Sequence, residues 1–124
     1  MKPKFKILAA VFAITIIASC KKEGTGGKAT ITGLAKHHAK PIPNAVVYIK
    51  YGVKESPGTN PANYDASVTS DGNAKYEFKE LNKGDYYLFG IGYDSAISNT
   101  VTGGVPVSVK KKTETVQADV SVTE

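Results

Sequence analysis

Two reversals of direction within twenty residues constrain the fold of this chain most. Thr69 to Leu88 reads Thr-Ser-Asp-Gly-Asn-Ala-Lys-Tyr-Glu-Phe-Lys-Glu-Leu-Asn-Lys-Gly-Asp-Tyr-Tyr-Leu. The first reversal lies over Ser70 to Asn73, where Gly72 accepts a positive φ without steric cost and Asp71 can bond its own backbone. A short strand follows, in which Tyr76 and Phe78 alternate with Lys75, Glu77 and Lys79, giving one buried and one wet face. Asn82-Lys83-Gly84 turns the chain again, and Tyr86 and Leu88 open the next strand. An isolated hairpin is marginal in water, so the rest of the chain must supply partners.

It does so with strands. Ala29, Ile31, Gly33 and Ala35 share one face of a first strand over residues 29–36. Val46, Val47 and Ile49 support a second over 45–51, with Ala45, Val47 and Ile49 inward and Val46, Tyr48 and Lys50 outward. A third begins at residues 65–69. The fifth, Asp85 to Tyr93, is apolar on both sides: Tyr86, Leu88 and Gly90 face the core, while Tyr87, Phe89, Ile91 and Tyr93 face out. Val105, Val107 and Val109 alternate in a sixth, where Gly103-Gly104 and Pro106 predict a bulge or an edge. Val116, Ala118, Val120 and Val122 alternate in the last. After the N-terminal apolar run no stretch has helical periodicity, so the reading is all-β, a seven-stranded sandwich. Its expected core is Ile31, Ala45, Val47, Ile49, Tyr76, Phe78, Leu81, Tyr86, Leu88, Val107, Val116, Ala118 and Val120.

The spacing Thr69-x-Asp71-Gly72, then Tyr76-x-Phe78-x-x-Leu81-x-x-Gly84-x-Tyr86-x-Leu88, resembles the second half of a carboxypeptidase regulatory-like domain. Ile31-x-Gly33 and Pro41-Ile42-Pro43-Asn44-Ala45-x-Val47 resemble its first half, and Ala74 is one residue more than the pattern holds. The resemblance runs over roughly residues 28–122. It implies a transthyretin-like (prealbumin-like) Greek-key sandwich for residues 29–124.

Residues 1–19 read as a targeting segment. Lys2, Lys4 and Lys6 precede an apolar run from Ile7 to Ala18. Twelve residues span only ~18 Å as a helix, too short for a ~30 Å hydrocarbon core, which fits a secretory signal. The run ends Ile17-Ala18-Ser19-Cys20, which resembles a bacterial lipobox. That implies cleavage before Cys20, its acylation, and attachment to the envelope, with the outer membrane expected. Cys20 is the only cysteine, and an exported lone thiol has no intrachain partner. Residues 20–28 then form the lipidated end and a glycine-rich tether with a reach of ~15 Å.

Charge narrows the partners. All 16 basic residues are lysines; 13 follow the leader, against 11 acidic residues. Dispersed lysine without arginine argues against nucleic acid. The only histidines, His37 and His38, are neighbours. Successive strand residues face opposite ways, so the two do not share a metal ion unless the loop curls, and they are expected as solvated loop residues without a metal or cofactor.

An enzyme using either histidine lacks further support. There is no Gly-x-Ser-x-Gly elbow, and the acidic residues sit at turns or alternate out of strands. Within the transthyretin-like fold, hydroxyisourate hydrolases use arginine, absent here, and a C-terminal Tyr-Arg-Gly-Ser; this chain ends Val-Thr-Glu. A monomeric, non-catalytic binding or assembly domain is therefore expected, working on an envelope protein or a glycan. A glycan would stack on aromatic side chains. The expected partner face is Tyr48, Tyr87, Phe89 and Ile91, either exposed or covered by the long segment 52–64. Asp94-Ser95-Ala96 resembles a bacterial O-glycosylation sequon, which would place the sugar on Ser95.

Overall fold

The computed structural model describes residues 22–124. Cys20 and the leader lie outside them. Among the described residues nine strands form two sheets: β1 (Thr25–His37), β2 (Lys40–Pro41), β3 (Val46–Tyr51), β4 (Ala66–Thr69), β5 (Lys75–Leu81), β6 (Gly84–Asp94), β7 (Asn99–Val109), β8 (Thr115–Gln117) and β9 (Val120–Ser121). In one sheet β1 pairs antiparallel with β5 and β2, and parallel with β8 and β9. The other runs β4-β3-β6-β7, antiparallel throughout. The expected all-β sandwich is present. Its count differs from seven because the β1–β2 hairpin adds a two-residue strand and the last strand is cut in two at Ala118-Asp119.

Between the sheets lie Ile31, Ile42, Val47, Ile49, Tyr76, Phe78, Leu81, Tyr86, Leu88, Val101, Val107, Val109, Val120 and Val122, with the alanines at 29, 35 and 45. Eleven of the thirteen expected core positions are buried. Val116 and Ala118 are only half-buried against the core, because β8 stands at the margin of its sheet. The first turn uses Asp71 as its sequence demands, but the positive φ expected at Gly72 falls on Ala74 instead. The Asp71 carboxylate accepts the backbone N–H groups of Asn73 and Lys75, and these bonds hold it below the usual carboxylate range. Ala74 takes φ 67° and is fully buried, its carbonyl accepting the Ala35 N–H.

The C-terminal segment closes the sandwich. Ala118 N–H bonds Thr32 O and Val122 N–H bonds Lys36 O, both on β1. One residue on, Thr123 and Thr102 exchange two backbone bonds of 2.8 Å, on β7 of the opposite sheet. This seam requires close backbone approach. A Cβ on Gly33 would collide with Ala118 O, and one on Gly103 with Ser121 O. Glycine in β7 therefore serves the seam. β7 keeps continuous register with β6 from Gly84↔Val109 to Asp94↔Asn99, without the bulge that was the alternative to an edge.

The tether is shorter than expected. Thr25 to Lys28 belong to β1, and Gly24 is buried. The cause is a clip that glycine content does not reveal. Tyr86 OH donates to Asn82 O, four residues upstream, and accepts from Gly24 N–H at 2.9 Å. Asn82 Nδ2 donates to the carbonyls of Lys22 and Thr25. Backbone bonding of the Gly24–Thr25 region to Asn82 then outweighs the chain entropy a free glycine segment would keep.

Candidate functional site

The outer face of the second sheet carries the aromatic residues. Side chains alternate along a strand, so Tyr87, Phe89, Ile91 and Tyr93 of β6 share this face. Register places Tyr48 of β3 opposite Phe89 and Val46 opposite Ile91. On the other flank, Pro106, Gly104, Thr102 and Thr100 of β7 oppose the four β6 residues in turn. Gly104 offers no side chain, and the Tyr87 ring occupies that space: a Cβ on Gly104 would meet Tyr87 Cε1 and Oη at 2.6 Å.

All four expected partner-face residues thus lie on one side, yet they are not equally accessible. Phe89 is only 4% exposed, because Tyr64 stacks on it with ring centroids 5.6 Å apart and 19° between planes. Tyr48 completes the cluster, 6.3 Å from Phe89 and 5.9 Å from Tyr64. Segment 52–64 therefore covers the middle of the face. It is held there by its own bonds: Tyr64 OH to Gly58 O, Asn63 Nδ2 to Pro57 O, and Asn60 Oδ1 capping the 3₁₀ turn Pro61–Asn63. Phe89 is a support, not a contact residue. Tyr48, Tyr87 and Ile91 remain half-buried, and Tyr93 is 57% exposed. The structure adds Tyr64 to the face. Only its place in a long loop hid it, since loop residues have no periodicity to read.

A second cluster lies at the end of the sandwich where β1, β6 and the C-terminus meet. His37 is 3% exposed, contrary to its expected place in a solvated loop. The strand runs one residue further than its alternation suggested, and the ring lies among carboxylates. Its Nδ1 donates to Asp94 Oδ2 at 2.8 Å and its Nε2 to Glu124 Oε1 at 2.7 Å. Both partners are carboxylates that accept, so the ring makes both bonds only when it holds both protons; the Asp94 bond first, and Glu124 after it, raise its pKa above 6.5 against burial, which lowers it. His37 and then Lys40 hold the Asp94 carboxyl well below its usual range. Its own backbone N–H and then His37 lower that of Glu124. His38 is exposed, as expected. Ser95 is exposed in the turn after β6. Neither His37 nitrogen faces a hydroxyl that it could activate as a nucleophile.

These shifts set a pH window. The Asp94 contribution to stability is present above pH 3.8 and lost as pH falls through its depressed folded value. The His37 contribution is complete below pH 6.5 and lost as pH rises through its elevated folded value. Melting of the native chain and of Asp94→Asn, in buffer free of divalent ions, should differ most between those two pH values. A difference that is constant from pH 3 to 9 would contradict the ion pair.

No family model and no curated protein matches the chain. Two solved structures share its architecture. One is a proposed carbohydrate-binding protein from Pseudomonas aeruginosa, 17% identical with a TM-score of 0.52, the match covering 80% of this chain and 91% of that one. The other is BcpA, the major pilin subunit of Bacillus cereus, 14% identical with a TM-score of 0.53, covering 79% of this chain but only 30% of the pilin. At such identities the likeness speaks for the fold: this chain is a two-sheet β-sandwich protein.

Proposed function

We propose that this protein is a non-catalytic binding domain of the bacterial cell envelope, held to the outer membrane by lipid on Cys20, that takes a glycan on the outer face of its second sheet. The observation that carries the reading is the aromatic face itself. Tyr87 of β6 lies against Gly104 of β7, Tyr93 stands open at the end of β6, and the Tyr48–Tyr64–Phe89 stack holds the ground between them. Sugar rings present apolar C–H faces that stack on such rings, while hydroxyls at the margin fix orientation. Thr100 and Thr102 supply hydroxyls on the β7 flank. The proposed carbohydrate-binding role of the Pseudomonas neighbour agrees with this reading, and the motif resemblance to carboxypeptidase regulatory-like, transthyretin-like domains supports the sandwich scaffold that carries the face.

The fold suits the anchor. Lys22 begins at the sandwich end that also carries Asn82-Lys83 and the Lys110–Lys112 turn. Lys28, Lys83 and Lys112 line a cleft of about 410 Å³ there. One residue, Lys21, separates Lys22 from the Cys20 attachment point, so this basic end faces the lipid and the aromatic face stands to the side. Cys20→Ala should lose the acyl mass and move from the membrane to the soluble fraction; retention of both would overturn the anchor.

Binding is tested with full-length protein on immobilised envelope polysaccharides and a glycan array. Tyr87→Ala and Tyr93→Ala should each weaken capture about tenfold, since stacked aromatics contribute ~0.5–1.5 kcal/mol beyond their buried area. Both should leave the melting curve within a few degrees of native. Tyr64→Ala should instead lower the melting point, because it uncovers Phe89. Unchanged glycan capture by the folded Tyr87→Ala/Tyr93→Ala double variant would sink the glycan site. Loss of an envelope protein from a native pull-down by that same variant would point to a protein partner. Hexose-sized mass on the Ser95 peptide of native protein would establish the modification proposed there.

A further inference from the structure

The two histidines are kept apart by strand alternation only while the chain is extended. Here it is not. β1 ends at His37, and His38 and Ala39 both adopt left-handed backbone, with φ 52° and 68°. His37 and Lys40 pair across this two-residue loop, and positive φ at both loop residues is what a type I′ hairpin turn requires, here without the Asn or Gly such a turn favours. The reversal into β2 brings the rings of His37 and His38 against each other, with centroids 4.2 Å apart and 39° between planes.

A third group arrives from the other end of the sequence. The Thr102–Thr123 bridge fixes the segment after β9, and the next residue, Glu124, sets Oε1 at 2.7 Å from His37 Nε2. One ligand atom from each of His37, His38 and Glu124 lies within 4.8 Å of the other two. Behind His37, Asp94 accepts from Nδ1, and Asp94 is itself fixed by Lys40 Nζ at 2.8 Å and Ala96 N–H at 3.0 Å. A carboxylate on one imidazole nitrogen is the usual outer partner of a metal-ligating histidine: it sets the tautomer and aims the other nitrogen at the ion.

We propose that His37 Nε2, His38 and Glu124 bind one divalent transition-metal ion of the zinc and copper class, with Asp94 positioning His37 from behind. The ion replaces the proton that His37 otherwise gives to Glu124. Two imidazoles and one carboxylate form a borderline donor set that suits Zn²⁺ or Cu²⁺, and not Mg²⁺ or Ca²⁺, which seek oxygen. His38 and Glu124 are exposed, so the ion enters from solvent and the Glu124 side chain moves to admit it. Asp94 faces the opposite side of β6 from Tyr93 by strand alternation, so the site shares no ligand side chain with the aromatic face and does not rest on the glycan reading.

His38 separates the proposal from a simple ion triad, because the Asp94–His37–Glu124 bonds do not use it. The test uses the full chain without a polyhistidine tag, carrying Cys20→Ala so that the thiol binds nothing, stripped of metal by chelator and then dialysed. Calorimetric titration with Zn²⁺ and with Cu²⁺ should give one site per chain, with Mg²⁺ giving no heat of binding. His38→Ala and Glu124→Gln should each weaken Zn²⁺ binding ~10-fold or more, comparable to the loss of ligand support at known sites. The metal-free melting curve of His38→Ala should match native, because His38 takes no part in the bonds of His37 to Asp94 and Glu124. In the Cu²⁺ form, paramagnetic resonance should show coupling to two imidazole nitrogens, reduced to one in His38→Ala. Absence of saturable Zn²⁺ and Cu²⁺ binding would overturn the site. So would a site that survives both substitutions at full affinity, or a Cu²⁺ spectrum with the same nitrogen count in His38→Ala.

Discussion

Phe78→Ala should lower the free energy of unfolding by about 3–5 kcal/mol. The side chain is 6% exposed in the middle of β5. Its ring meets the edge of Tyr76 with centroids 6.0 Å apart and 63° between planes, and β5 pairs with β1 at Ile31↔Phe78. Truncation removes the buried apolar area and leaves a cavity, because a sandwich core held by two hydrogen-bonded sheets cannot collapse freely around it. A domain of this size has a total stability of roughly 5–15 kcal/mol, so a large share is at stake. Urea titration followed by tyrosine fluorescence reads the change as a shift in midpoint at unchanged slope. A loss below ~1 kcal/mol would place Phe78 outside the core and shift β5 by one residue, since a single-residue slip exchanges the two faces of a strand.

Gly33→Ala should be as damaging with a single added methyl group. Nothing about the Gly33 dihedral demands glycine; the obstacle is the backbone of Ala118. The added Cβ would overlap Ala118 O, the atom that also accepts the Tyr76 hydroxyl. Flexible side chains yield to an intruding methyl, but a backbone segment pinned by the Ala118 N–H to Thr32 O bond and by the Tyr76 hydroxyl does not. The cost should therefore reach or exceed the ~3 kcal/mol upper end of ordinary overpacking. The damage should also be local in its first effect. Hydrogen exchange should show the amides of Ala118 and Val122, bonded to Thr32 and Lys36, losing protection before those of β3 and β6. Gly103→Ala, on the opposite sheet, should repeat the pattern because its Cβ meets Ser121 O. Gly72→Ala is the control: no atom lies within 4 Å of the position, and stability should be near native.

The alternation of apolar and polar residues determined most of this fold by itself. Ala45, Val47 and Ile49, then Tyr86 and Leu88, face inward as their period requires, and Asp71 caps the turn that Asp-Gly announced. Such features were legible because period and turn chemistry are local, set by residues two to four apart. Tyr48, Tyr87, Phe89 and Ile91 were placed on one face by the same rule. What local pattern could not supply was anything made by contact across long separations. Tyr64 covers Phe89 because a loop without periodicity folds back over the sheet. Residues 25–28 become strand because Asn82 and Tyr86, some sixty positions away, bind the backbone beside them. His37 is buried, and set beside His38, because Asp94 and Glu124 arrive from β6 and the C-terminus and the chain reverses through two left-handed residues. The sequence determined which residues face inward, through periodicity and turn propensity. The tertiary structure alone decided which outward residues are covered and which polar groups meet, because those outcomes depend on how distant segments close over the sheets.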